Sequence, residues 1–259
     1  MSLSRKNHCV HTTFLALLIA LPYIPALLGK ARLVGGDTVN QFIPWIQFFA
    51  HEVRDGRFPR WDPHSFCGTP FFANAQVAFF YPFTWLAFLV SVETFLPLYY
   101  LAHGIGAGVA MYCWLHRRLR LPQAAFVGSL MWAWCGIAAG YRFAGFMAWA
   151  GATVYIPLAF LLFDLWNERH QIVHGLLLTA VLALQLHAGH PQPCLFTFYF
   201  LLAYACWQAL SSRSQTLKAR QRLTMISIVP LCFAGALLLA AVILLPLVEV
   251  SLFTAARQG

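Results

Sequence analysis

Asp37 stands behind two glycines in GGDTVNQFIPW, residues 35–45, in a chain of 259 residues with only eight Asp and Glu. A carboxylate so placed has two uses. It can cap a helix, accepting hydrogen bonds from the free backbone N–H groups of the first turn while Gly35 and Gly36 make the sharp turn before it. It can also do chemistry, and one carboxylate can do both. Glu249 lies beyond the last apolar run, where an ionisable group is either functional or paired, here with Arg257. His187 and His190 are three apart, but two histidines without a third ligand do not define a metal site. No metal ligand is assigned, the cofactor is unknown, and a divalent cation stays open. Asp164, Glu168 and Arg169 fall together near the end of an apolar run and read as interfacial.

These residues sit in a membrane protein. Hydrophobic residues make up 60% of the chain and charged residues 10%, and mean hydropathy is +0.67, where a soluble domain is about half apolar and a quarter charged. The apolar residues come in runs without strand-like alternation, so the spans are helices rather than barrel strands. The net charge of +9 does not indicate nucleic acid, because the basic residues lie between the runs instead of forming one stripe. Of seven cysteines only Cys67 is clearly in a loop, which argues against a disulfide framework or a zinc site.

The sequence predicts an all-α polytopic protein, a single transmembrane domain over residues 1–259 with about seven spans. They fall near 9–29, 93–115, 122–139, 149–166, 175–189, 193–210 and 224–245. Pro22 and Pro25 interrupt the first, which reads as an uncleaved anchor. The basic clusters HRRLR (116–120), NERHQIVH (167–174) and SSRSQTLKARQR (211–222) are assigned to the cytoplasmic side together with the N-terminus. Residues 30–92 then form a large extracytoplasmic loop, and residues 246–259 end on that same side. The stretch 77–91 is apolar but short and holds Pro82, so it reads as interfacial or re-entrant.

Within the loop, Val39, Phe42, Ile43, Ile46, Phe49, Ala50 and Val53 recur at helical spacing. Asp37, Gln41, Trp45, Phe48 and Glu52 fall on a different face. Such an amphipathic helix could lie flat at the outer membrane surface and turn Asp37 toward the protein's own cavity.

Several ordered blocks resemble one family. GGD (35–37) with Gln41 and Pro44 is followed by DGRFPRWDPHSFCGTPFFANAQVAFFYP (55–82), then by GHPQ (189–192) and LLPLVEVSLFTAARQG (244–259). Together they resemble the YfhO-like bacterial membrane proteins, polytopic members of the GT-C glycosyltransferase fold, over essentially the whole chain. The resemblance implies an enzyme of the bacterial cytoplasmic membrane that moves a sugar from a polyprenyl-phosphate carrier to a cell-envelope glycan or lipid acceptor at the outer face. Asp37 would be the catalytic base.

The same resemblance frames the other candidates, each with a plainer use beside it. Arg57 and Arg60 would hold the carrier phosphate or touch lipid headgroups. Trp61 and Asp62 would shape a sugar platform, although Trp61 would serve equally as an interfacial anchor. Gln76 and Tyr81 would pack the loop onto the spans, and His190 and Gln192 would line the cavity from the end of a span. Glu249 and Arg257 complete the substrate-binding set with Gln41. The pattern of related chains is longer, which suggests a fragment or a separate C-terminal portion, and a truncated inactive remnant is one alternative. A transporter or flippase of lipid-linked precursors is the other, but its path would need ionisable groups near span centres, and the spans are nearly free of them.

Overall fold

A computed structural model of the protein describes residues 2–33, 35–65, 67–135, 140, 144–211 and 218–256. Helix α1 (Ser2–Ala20) runs through a 3₁₀ turn at Leu21–Tyr23 into the short α2 (Ile24–Leu27). Pro22 and Pro25 sit second in these two turns, within the first turn where a missing N–H costs little. The loop that follows carries a π-helical turn (Thr38–Phe42), α3 (Ile43–Arg54) and three 3₁₀ segments, Phe71–Ala73, Ala75–Val77 and Pro82–Phe88. Then come α4 (Val92–Leu119), α5 (Pro122–Trp134), α6 (Met147–Thr153), α7 (Tyr155–Arg169), α8 (Ile172–His187), α9 (Pro191–Leu210), α10 (Ala219–Leu239) and α11 (Ala241–Ala256). Among the described residues the only β pairing is an isolated bridge between Asp62 and Thr69.

The architecture is all-α, with several apolar helices, but the expected seven spans are not found. Four helical stretches among the described residues are long and apolar enough to cross a membrane: His8–Leu27, Met147–Arg169, Pro191–Leu210 and Ala219–Leu239. Each of the other expected spans fails for a physical reason. Helix α4 is 28 residues long, yet Pro97, Tyr99, Tyr100, His103 and the glycines at 104, 106 and 108 dilute its apolar character within the expected 93–115. Helices α5 and α8, of 13 and 16 residues, reach about 20 and 24 Å, short of about 30 Å of hydrocarbon. The span expected over 224–245 is found as Ala219–Leu239 and ends at Ala240, beyond which α11 packs on the 3₁₀ segments at 71–77. Apolar periodicity could not foresee that end, because both sides of it are equally apolar.

Helices pack closely where small residues permit it, the main source of association when lipid competes for apolar surface. A Cβ on Gly108 of α4 would meet Ile19 of α1 at 2.6 Å, and one on Gly128 of α5 would meet Leu115 of α4 at 2.5 Å. Leu15, Ile19, Tyr112, Ala125 and Ala133 form a small buried cluster there. The larger core joins the first loop to α4 and to the helices from α6 onward. Helix α3 and the turn before it belong to it: Phe42, Ile46 and Phe49 are buried there, with the Phe49 ring edge-on to Phe79 and Trp85 at 5.6 and 5.5 Å. Its apolar stripe, expected against lipid, is thus covered by the loop's own aromatic residues, each pair adding about 0.5–1.5 kcal/mol beyond area burial.

Far from that loop, a polar clamp ties α4, α7 and α9. Asp164 is 2% exposed and accepts from Arg118 Nε at 2.6 Å, Trp114 Nε1 at 2.9 Å, Tyr204 Oη at 3.1 Å and Gln208 Nε2 at 3.1 Å. Arg117 pairs with Glu168 beside it. Asp164 was expected at an interface with Glu168 and Arg169; it is instead the buried acceptor for four donors on two other helices.

Candidate functional site

The GGD turn is held by glycine on both sides of its contact. Gly145, with φ +92°, faces Thr38 so closely that a Cβ there would overlap the Thr38 hydroxyl and lie 2.7 Å from its backbone nitrogen. A Cβ on Gly35 would in turn overlap the carbonyl of Ala144. The segment that leads into α6 therefore fixes the backbone on either side of Asp37. Asp37 occupies the position before the π-helical turn, but its side chain makes no capping bond. Its carboxylate is half-buried and has no hydrogen-bond or ion-pair partner among the described residues. Short π turns are uncommon and cluster at functional sites.

A second junction brings the end of α8 to the loop. Gly189, with φ +94°, lies under residues 75–78; a Cβ would sit 2.5 Å from the Ala75 carbonyl oxygen and 3.2 Å from the Cα of Gln76. His190 follows, its ring 5.2 Å from and perpendicular to that of Trp149. Burial keeps His190 below the usual imidazole pKa, hence neutral, and its Nδ1 is buried without a partner among the described residues. His187 is anchored separately, through Nδ1 to the Ala183 carbonyl at 2.7 Å.

Tyr81 joins this loop to the helices. Its hydroxyl lies 2.6 Å from His103 Nε2 and 2.7 Å from the Tyr155 hydroxyl. His103 Nδ1 lies 2.6 Å from the Tyr99 carbonyl, which can only accept. The ring proton is therefore on Nδ1, Tyr81 donates to Nε2, and Tyr155 donates to Tyr81. Burial raises the Tyr81 pKa, so the phenol stays protonated and the chain of donors is fixed.

A groove of about 780 Å³ begins near this junction. Gln192, Phe196, Phe200 and Tyr204 line it from every fourth position of α9, a stripe about 18 Å long. His103 and Trp114 of α4, with Trp149 of α6, line it as well. Its walls are almost wholly apolar, and Phe200 is 65% exposed on the outside of the helix bundle. Trp114 and Tyr204 belong both to the groove and to the Asp164 clamp.

The remaining candidates are dispersed. Arg57 is committed to Glu52 and Asp55, at 2.6 and 2.9 Å, and the guanidinium holds the Glu52 carboxyl below its ordinary pKa. Asp62 is buried and builds its own turn, accepting from the His64 N–H at 2.8 Å and the Ser65 hydroxyl at 2.6 Å. Trp61 covers Gly68 and is exposed, and Gln41 is half-buried on the π turn. Gln76 and Gln192 are exposed. Arg60 and Glu249 share a separate cleft of about 590 Å³ between the first loop and α11. Arg257 lies outside the described residues. Among the described residues no group of three or more His, Cys, Asp or Glu side chains could hold a metal ion.

The sequence profile of the family described as bacterial membrane protein YfhO matches residues 12–258. The chain belongs to that family. No curated protein and no solved structure matches it. In this YfhO-family protein two of the sequence blocks are tied to the helices by glycine contacts, the GGD turn to the segment before α6 through Gly35 and Gly145, and residues 75–78 to the end of α8 through Gly189. Sequence reasoning missed His103, Tyr155, Gly145 and the Arg118–Asp164 pair. A histidine and an acid inside apolar runs were the available signal for His103 and Asp164; nothing local marks Gly145, whose need for glycine comes from Thr38, more than a hundred residues away.

Proposed function

We propose that this YfhO-family protein is a GT-C-type glycosyltransferase that moves a sugar from a polyprenyl-phosphate carrier to a cell-envelope glycan or lipid acceptor. One observation carries the reading: Asp37 stands where a helix cap would stand, yet its carboxylate is unspent. It is free to take the proton of an acceptor hydroxyl as that oxygen bonds to the anomeric carbon. The bond from that carbon to the carrier phosphate breaks at the same time, and the polyprenyl phosphate leaves with the electron pair. The apolar groove along α9 suits the carrier's hydrocarbon chain. His190 and Gln192 at its loop end supply neutral donors for the phosphate. On this reading the chain is one transmembrane domain of the bacterial inner membrane, with the loop of residues 30–92 and α11 outside and the N-terminus in the cytoplasm.

The test is transfer from a labelled polyprenyl-phosphate sugar by the protein reconstituted in liposomes. Asp37→Asn is expected to lower the rate by at least about 100-fold, the usual contribution of a positioned base. Equal rates for both proteins would remove Asp37 from the mechanism. Protein-dependent flipping of the lipid without transfer would replace the enzyme with a transporter.

A further inference from the structure

The cleft between the first loop and α11 holds two opposite charges that do not meet. Arg60 and Glu249 both line it, the only charged side chains among the described residues that do, and neither forms an ion pair among the described residues. Glu52 and Asp55 are paired with Arg57, and neither pairs with Arg60. Its guanidinium carbon rests 6.0 Å from the centre of the Phe58 ring. The other walls are apolar, with Phe72 from the loop and Pro246 and Phe253 from α11. Leu245, Leu252 and Phe253 of α11 are each at least 66% exposed, an apolar surface beside the cleft suited to acyl chains.

From this geometry we infer that the cleft binds the headgroup of a zwitterionic phospholipid, with the phosphate on Arg60 and the ammonium on Glu249. A guanidinium recognises phosphate through paired, charge-assisted hydrogen bonds. A carboxylate and phenylalanine faces together favour an ammonium group. A purely anionic headgroup would satisfy Arg60 but meet Glu249 as a like charge, and a purely cationic one would reverse the conflict. Both residues are exposed, and only a ligand carrying both charges complements the pair. The sequence resemblance places Arg60 and Glu249 among the substrate-binding residues, but the transfer proposed above uses Asp37, His190 and Gln192, so the inference stands apart from it.

The experiment is native mass spectrometry of the full chain released from detergent, with phosphatidylethanolamine and phosphatidylglycerol of matched acyl chains in competition. The wild type is expected to retain phosphatidylethanolamine about tenfold over phosphatidylglycerol. Glu249→Gln is expected to abolish that preference while still holding both lipids, and Arg60→Gln to release both. Asp37→Asn is expected to keep the wild-type preference, which separates this outcome from the fate of the transferase reading. Equal retention by the wild type, or an unchanged preference in Glu249→Gln, would overturn the inference. Melting temperatures of the two variants in lipid-free detergent, expected to match the wild type, exclude misfolding as the cause.

Discussion

Asp37 illustrates how a residue's role depends on what its neighbours leave undone. Its sequence position supports capping, and the geometry withholds the capping bond. What holds Asp37 is backbone contact, through Gly145 against Thr38. Gly145→Ala would force a side chain into a positive-φ conformation and against the Thr38 nitrogen, with an expected loss of about 2 kcal/mol or more. The measurement is the melting temperature in detergent, read beside the transfer rate. A melt and a rate both equal to wild type would show that the Thr38 contact does not position the turn. Arg57 and Asp62 make the reverse point. Both were candidates by type and motif, and both are occupied by local partners, Arg57 by Glu52 and Asp62 by its own turn.

At the scale of elements, the Asp164 clamp decides how α4, α7 and α9 meet. Its acid is buried, so its worth lies mainly in what would be left behind if it were removed. Asp164→Ala strands Arg118 and three neutral donors, and is expected to destabilise the protein by about 3 kcal/mol, toward the low end for a buried pair because Arg118 is 36% exposed. Since Trp114 and Tyr204 also line the groove, the same substitution should loosen its far end. Thermal unfolding of Asp164→Ala against Arg118→Met tests this: the arginine variant leaves the acid its other three donors and is expected to be the milder. Equal melts for both variants and the wild type would show that the clamp contributes nothing. The break at Ala240 is the other element-scale result. Beyond it α11 lies on the first loop, and the two together line the Arg60–Glu249 cleft.

Across the whole molecule, the turns at Arg120 and His170, both in the left-handed region, close the helices at the end away from the first loop. Contacts of Arg117 with Glu168 and of Gln208 with Asp164 gather three helix ends there. If that end is cytoplasmic, as the basic clusters argue, reporter fusions after residues 120 and 170 should both read inside. An outside signal at either position would move the candidate site to the wrong face for an extracytoplasmic acceptor. The membrane class and the all-α build were legible in the chain because hydropathy is additive along it and needs no partner. The helical segment at 38–54 was legible for the same reason, from a periodicity that any helix exposes. Span count, the burial of Asp164 and the two glycine junctions were not, since each depends on residues far apart in sequence approaching within van der Waals distance. Composition fixes which solvent a chain lives in; only packing determines which polar groups are already satisfied, and the ones left over are those that can act on something else.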